Sequence, residues 1–198
     1  MRVGVYPGTF NPPTIAHVAV ASAARAQRNL DRVVLVVSTR PINKEYVAGP
    51  VLADRLAVLR SVAAATSGGW LDVAVTEHRL LVDIARGYDV LIMGADKWNQ
   101  VIDPQYYAGD AAARDVAVDS LPELAIAPRA PFDVPAHWML DVDATHEPVS
   151  STAARAGKRQ WMCTQAADFD DRTGAWTDPS RYERWLRQRR TLRGSVDR

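Results

Sequence analysis

Short runs of valine, isoleucine and leucine alternate along this chain with longer stretches in which apolar residues recur every three or four positions. The runs predict strands at residues 3–6, 32–38, 71–76, 89–93, 124–127 and 138–142. The stretches 14–28, 51–65 and 80–86 carry helical spacing, as with Leu52, Leu56 and Leu59. A run such as Val33-Val34-Leu35-Val36-Val37 offers no polar face, which suits a strand buried on both sides of a parallel sheet. The alternation therefore predicts an α/β fold with a doubly wound parallel sheet. Ligands of such sheets bind beyond the carboxyl ends of the strands, where the strand order reverses. The loops after the first, fourth and last predicted strands are the ones to search.

The alternation stops near Gly157. From Lys158 onward the chain is polar and then arginine-rich, with ten Lys and Arg against six Asp and Glu, a net +4. A helix over 179–193 is expected there, with Tyr182, Trp185 and Leu186 or Leu192 docked on the core and the arginines in water. The expected organisation is a core of residues 1–157 and a short, partly helical C-terminal extension, 158–198. Over the whole chain the formal net charge is only +1, so neither nucleic acid nor an anionic membrane is called for as a partner. Any anion must be held by local arrangement. The single cysteine, Cys163, excludes an internal disulfide framework and a cysteine zinc cluster. No apolar run approaches the roughly 20 residues that span a bilayer, and a cytoplasmic protein is expected. The sequence leaves a homo-oligomer open.

Directly after the first strand comes Gly8-Thr9-Phe10-Asn11-Pro12-Pro13-Thr14-Ile15-Ala16-His17, a glycine-containing loop that opens a helix. Free N–H groups and the dipole at a helix start favour negative charge, and a glycine leaves room for close approach of a phosphate. Thr14 is placed as the N-cap, which puts His17 in the first turn and facing the same opening. An imidazole there can donate a hydrogen bond to a phosphate oxygen and, if protonated, offset charge as pyrophosphate leaves. A second helix start, Ser150-Ser151-Thr152-Ala153-Ala154-Arg155, offers hydroxyls, free N–H groups and an arginine far along the chain. Each of these features alone also reads as ordinary capping or packing.

Together they resemble the two signatures of the nucleotidylyltransferase superfamily, Rossmann-like enzymes that include nicotinate/nicotinamide mononucleotide adenylyltransferases and phosphopantetheine adenylyltransferases. The resemblance covers residues 1–157. It implies that His17 contacts the triphosphate, that Arg155 grips its outer phosphates, and that Gly8, Thr9, Phe10, Asn11, Thr14, Ser150, Ser151 and Thr152 form the nucleotide pocket. Thr14 stands where the commonest form of the motif has a histidine. Asn11 stands where bacterial members usually have aspartate.

Between the two signatures, the loop Ser38-Thr39-Arg40-Pro41-Ile42-Asn43-Lys44 brings Arg40 or Lys44 within reach of phosphate oxygens on the acceptor side, and Lys44 matches in placement a lysine of the family. After the fourth strand, Asp96 of Gly94-Ala95-Asp96 either accepts from ribose hydroxyls or helps hold a hydrated magnesium ion. Trp98 is a stacking platform for an acceptor ring or a core residue.

The implied reaction needs no covalent nucleophile. An acceptor phosphate attacks the α-phosphorus of ATP in line, with Mg2+ carried on the triphosphate and His17, Lys44 and Arg155 offsetting charge on the departing pyrophosphate. No Walker loop, HExxH or Gly-x-Ser-x-Gly motif competes with this reading. The partners implied are ATP and a small phosphorylated acceptor. Gly94-Ala95-Asp96, Asn11 and the Arg40 to Lys44 loop resemble the pyridine mononucleotide branch. Tyr6 through Phe10 and Leu80 through Arg86 resemble the phosphopantetheine branch, although the Arg-Gly-Leu-Arg expected of it after the fourth strand is replaced by Met93-Gly94-Ala95-Asp96. The expected acceptor is thus nicotinate or nicotinamide mononucleotide. Phosphopantetheine and a sugar or alcohol phosphate are the alternatives, and a non-catalytic nucleotide sensor is the reading from another class.

Overall fold

Alternate side chains of each apolar run go to opposite faces of a sheet, and in this chain both faces are covered by helices. The computed structural model describes residues 1–40 and 49–196, with side chains through Thr191. Five strands, β1 (Val3–Pro7), β2 (Arg32–Ser38), β3 (Leu71–Thr76), β4 (Val90–Gly94) and β5 (Glu123–Ala127), form a parallel sheet in the order β3-β2-β1-β4-β5. Val33, Leu35, Val37, Val90 and Ile92 pack with the helices α1 (Ile15–Gln27) and α2 (Leu52–Ala65). Their neighbours Val36, Leu91 and Met93 pack on the other face with α3 (Leu81–Ile84) and α4 (Ala95–Ile102), beside α5 (Ala111–Asp119). This is the α/β doubly wound arrangement, with the strand order reversing between β1 and β4.

Local chemistry sets the helix limits. α1 starts at the Thr14 N-cap and stops at Asn29, which adopts φ 49°, a left-handed conformation that asparagine tolerates. The predicted helix over 80–86 contracts to the single turn of α3 because Gly87, at φ 82°, turns the chain directly into β4.

The predicted sixth strand, 138–142, does not form. It makes one bridge, Met139 beside Ile126; the Trp138 and Met139 N–H groups turn back to the Pro135 and Ala136 carbonyls, and side chains from the end of α1 engage other backbone groups. Gln27 donates to the Asp141 carbonyl at 2.7 Å and accepts from the Asp141 N–H at 3.0 Å, while Arg28 donates to the Trp138 carbonyl at 3.2 Å. A backbone satisfied in this way has no ladder left to offer. β5 is therefore the last strand.

The polar C-terminal segment is largely helical. After α6 (Ser151–Arg155) come α7 (Thr164–Thr173) and α8 (Pro179–Val196). They build a separate apolar layer from Met162, Ala166, Trp176 and Tyr182, which packs on Val58 of α2 and Ala154 of α6. Trp185 and Leu186 pack against this layer as the sequence predicts, and Leu192 lies beyond the described side chains.

One buried polar cluster ties α8 to the start of α2. The Tyr182 hydroxyl donates to Asp54 Oδ2 at 2.6 Å and accepts from the Val51 N–H at 3.1 Å, and Arg189 Nη1 donates to Asp54 Oδ1 at 2.6 Å. Asp54 is only 4% exposed, so its charge is tolerable because both oxygens are engaged. Tyr182→Phe strands one buried carboxylate oxygen and one part-buried N–H, and is expected to lower stability by about 1–3 kcal/mol in urea unfolding. An unchanged midpoint would mean the cluster does not hold the extension down.

Candidate active site

β1 and β4 pair at two registers, Gly4 with Val90 and Val5 with Leu91, whereas β4 and β5 stay in register along all of β4. Past Val5 and Leu91 the two central strands part. A cavity of about 390 Å³ lies at their carboxyl ends, lined by Tyr6 of β1 and Gly94 of β4. Thr14, Ala16 and His17 of the α1 start, Asp96 and Lys97 of the α4 start, and Ser150, Ser151 and Thr152 at the α6 start form much of its wall. The first N–H groups of a helix have no intrahelical partner, so three helix starts turn polar hydrogens toward one space.

His17 is fixed in one tautomer. Its Nδ1 accepts the Thr14 backbone N–H at 2.9 Å and lies 2.8 Å from the Thr14 hydroxyl, while the His17 N–H donates to the Thr14 carbonyl at 3.0 Å. Thr14 and His17 thus form a reciprocal cap, with histidine in the place usually taken by glutamate or glutamine. Because Nδ1 accepts a backbone proton, the proton of the neutral ring resides on Nε2. Burial, and then the positive charge of Arg129, push the His17 pKa down to about 4. Near pH 7 the ring is an uncharged donor, so the hydrogen-bonding role expected of His17 needs no protonation of the ring.

Arg129 is the cation that the sequence reading overlooked. It follows β5 on the loop Pro128-Arg129 and lines the cavity close enough to His17 to act on its protonation. The signal was its position just beyond a strand's carboxyl end, and counting a sixth strand directed attention past this loop to the Ser150 to Arg155 segment. Tyr6, Asp143 and His146 also line the cavity and were not foreseen as site residues. Burial, reinforced by the charge of Asp96, raises the Tyr6 pKa far above its ordinary value, so its hydroxyl remains a donor. Asp143 is held below the usual carboxylate range by the Thr145 backbone N–H and hydroxyl.

The remaining residues of the first loop stand behind the wall. Gly8 has an ordinary φ, and its N–H donates to the Val36 carbonyl at 3.0 Å. A Cβ there would lie 2.8 Å from the Phe10 ring, so packing against Phe10 leaves no room for a side chain. Phe10, 2% exposed and at φ 45°, meets the rings of Tyr6 and His17 edge-on at 5.7 and 5.0 Å. The Thr9 carbonyl accepts from Arg55 at 3.3 Å. Asn11 is buried, with its side-chain oxygen on the Trp176 indole N–H at 2.7 Å and its carbonyl on the Arg155 guanidinium.

In the second signature Ser150 caps α6 by accepting from the Ala153 N–H at 3.1 Å, and Ser151 donates to the Pro12 carbonyl at 2.7 Å. The two signatures are therefore hydrogen-bonded to each other. Arg155 donates to the Asn11 carbonyl and, at 3.3 Å, to the Thr152 hydroxyl that lines the cavity.

Two predicted acceptor residues stand apart from the cavity. Arg40 is exposed and pairs with Glu77 at 3.6 Å. Trp98 packs on Trp138, with ring centroids 4.9 Å apart, on the α4 side of the sheet. Lys44 lies outside the described residues.

Comparison with known proteins agrees with this geometry. The family described as Cytidylyltransferase-like matches residues 5–157. A probable nicotinate-nucleotide adenylyltransferase of Gloeobacter violaceus is 36% identical over 67 residues, 34% of this chain and 32% of that protein. A phosphopantetheine adenylyltransferase of Dinoroseobacter shibae is 39% identical over 100 residues, 48% of this chain and 54% of that protein. These matches thus span between a third and just over half the length of the relatives. Among solved structures, the Plasmodium falciparum nicotinic acid mononucleotide adenylyltransferase complexed with NaAD aligns with TM-score 0.61 and 12% identity, over 86% of this chain and 95% of that chain, a likeness of fold. No helix among the described residues is long and apolar enough to cross a membrane.

The state of His17 makes stability depend on pH. Its folded pKa of about 4 lies below the ordinary 6.5, so between these values the unfolded chain binds the extra proton. The contribution is complete above pH 6.5 and is lost as pH falls toward 4, at a slope of at most about 1.4 kcal/mol per pH unit. In urea unfolding from pH 7 to 4, the wild type is expected to lose more stability than His17→Gln, whose glutamine keeps the cap but does not titrate. Parallel curves would place the proton elsewhere.

Proposed function

The chain belongs to the cytidylyltransferase-like family, and on that premise we propose that it is an adenylyltransferase that moves AMP from ATP to nicotinate or nicotinamide mononucleotide, releasing pyrophosphate. The observation that carries this reading is the meeting of the α1, α4 and α6 starts with the neutral His17 donor and Arg129 on one cavity at the β1/β4 crevice.

A triphosphate seated there accepts from His17 Nε2 and from the first N–H groups of α6, with its outer phosphates toward Thr152 and Arg155. Lys44, outside the described residues, is proposed to offset charge on the departing pyrophosphate. An oxygen of the acceptor phosphate attacks the α-phosphorus, the bond from that phosphorus to the bridging oxygen breaks, and pyrophosphate leaves with the electron pair. The protein contributes alignment and fixed charge to this step. His17 donates without changing its own charge, and Arg129 supplies the positive charge beside it.

Magnesium fits this site as an ion carried by the nucleotide. Among the described residues no three His, Cys, Asp or Glu side chains gather to hold a metal, so phosphate oxygens and water would fill most of its shell, with Asp96 a carboxylate on the cavity wall that would add to it. Bound there, it would draw negative charge from the triphosphate.

The pyridine acceptor is favoured by Gly94 and Asp96 at the end of β4, where the phosphopantetheine branch is expected to carry a pair of arginines. A Cβ at Gly94 would lie 2.6 Å from Asp96 Oδ1, so the carboxylate sits directly over this glycine. Phosphopantetheine is the second reading, favoured by the greater share of this chain that matches adenylyltransferases of that name.

The direct test is pyrophosphate release from ATP and magnesium with nicotinate mononucleotide, nicotinamide mononucleotide and phosphopantetheine in separate reactions. Release with a pyridine mononucleotide is expected. Release with phosphopantetheine alone changes the acceptor, and silence with all three contradicts the proposal. A second test separates the two functions of His17. His17→Gln retains the bond to the Thr14 N–H through its amide oxygen and displaces the donor from the ring Nε2 position to the adjacent amide nitrogen, so turnover is expected to fall about 100-fold or more while the melting temperature stays nearly constant. Turnover near the wild-type rate would take His17 out of the reaction.

A further inference from the structure

Trp176 lies beyond the residues that the family match covers, yet it reaches the first signature from 165 positions away. Its indole Nε1 donates to Asn11 Oδ1 at 2.7 Å, with Trp176 4% and Asn11 7% exposed. The Asn11 amide is pressed from another side by Gly49, where an added Cβ would come within 2.8 Å of Oδ1 and 2.9 Å of Nδ2. This side chain therefore points away from the cavity. It serves as the handle by which the extension holds the loop.

The indole is itself held firmly. Asp170, 2% exposed, accepts the Trp176 N–H at 2.7 Å, the Thr177 N–H at 3.1 Å and the Thr177 hydroxyl at 2.6 Å, which fixes the turn between α7 and α8. Gly174 makes the turn at φ 73°, with no room for a side chain against the Asp178 carbonyl. Three residues after Asn11 the loop reaches Thr14, whose N–H holds His17 Nδ1. The extension also touches this stretch directly, through the Cys163 N–H on the Pro13 carbonyl at 3.0 Å and the bridge between Met162 and Thr14. An unbroken path thus runs from Trp176 through Asn11, Pro12 and Pro13 to Thr14 and the His17 ring.

We propose that Trp176 is a positioning residue of the active site, holding the Asn11 to Thr14 loop through its indole hydrogen bond so that His17 keeps its tautomer and aims Nε2–H into the cavity. The proposal rests on the adenylyltransferase reading for its effect on turnover, and on the hydrogen bonds alone for its effect on the histidine. Misplacement of a donor by a fraction of an ångström weakens transition-state contacts more than binding of the remainder of the nucleotide. The expected signature is a loss in kcat with KM for ATP little changed.

The test is Trp176→Phe, which keeps an aromatic ring beside Phe169 and removes the donor. Two measurements are made on the full chain, steady-state pyrophosphate release and the 15N chemical shifts of the His17 ring. A fall in kcat of about tenfold or more, with KM for ATP within about threefold and the 15N shifts moving from a pure Nε2–H ring toward a tautomer mixture, is the expected result. Asn11→Leu should give the same pair of changes, and the double variant no more than either single one. If the wild type turns over and Trp176→Phe alters neither kcat nor the shifts, the proposal is overturned. It is overturned equally if the two substitutions lower kcat additively, since they then act by separate routes. If the wild type releases no pyrophosphate with any acceptor but the shifts still move in Trp176→Phe, the enzymatic reading fails and the positioning path stands.

Discussion

The site depends on the parting of β1 and β4. Parallel strands leave their carboxyl ends on one side of the sheet, and here the chain winds outward from β1 to β3 before returning to β4 and β5. The connections therefore leave β1 and β4 toward opposite faces. Two registers hold these strands together and then no longer do, so the crevice follows from topology before any side chain is considered. Both helices that open directly from these strands present their N-termini there, and α6 joins them through the hydrogen bond from Ser151 to the Pro12 carbonyl. The fold thereby concentrates unpaired N–H groups at a single place in a chain whose formal net charge is only +1.

Within that setting the side chains divide the work. Thr14 and His17 satisfy each other, which orients the remaining ring hydrogen, while burial and the charge of Arg129 keep the imidazole from taking up a proton near neutrality. Phe10 fills the space above Gly8 and meets the imidazole edge-on, so the first loop is a small core in its own right. Arg155 and Trp176 both reach this loop at Asn11, one through the backbone and the other through the amide. The C-terminal extension is thus structurally continuous with the site, even though the family match ends at residue 157.

The sheet, its doubly wound character and the two signature loops were legible because their determinants are local. An apolar run between turn residues reads as a strand wherever it occurs, and a hydroxyl followed by a helical pattern reads as a helix start. What escaped the sequence was settled at a distance. The segment from Trp138 resembles a strand until a turn onto Pro135 and Ala136 and the side chains of Gln27 and Arg28 engage its backbone. That misreading hid Arg129, which lies just beyond the carboxyl end of the true last strand. Gly8 was read for its backbone freedom, yet it is the Phe10 ring that requires it. The polar character of the extension gave no sign of the Asp170 turn or of an indole aimed at Asn11, since neither leaves a periodic trace.

The central claim is that a triphosphate is held at the β1/β4 crevice by helix starts and a neutral His17 donor. A crystal structure of the chain with magnesium and the non-transferring analogue α,β-methylene-ATP tests it most directly. Phosphate oxygens are expected within hydrogen-bond distance of His17 Nε2 and of the first backbone N–H groups of α6, with the Thr14 to His17 cap intact. A triphosphate bound outside this cavity, or a His17 ring turned away from it, would contradict the account.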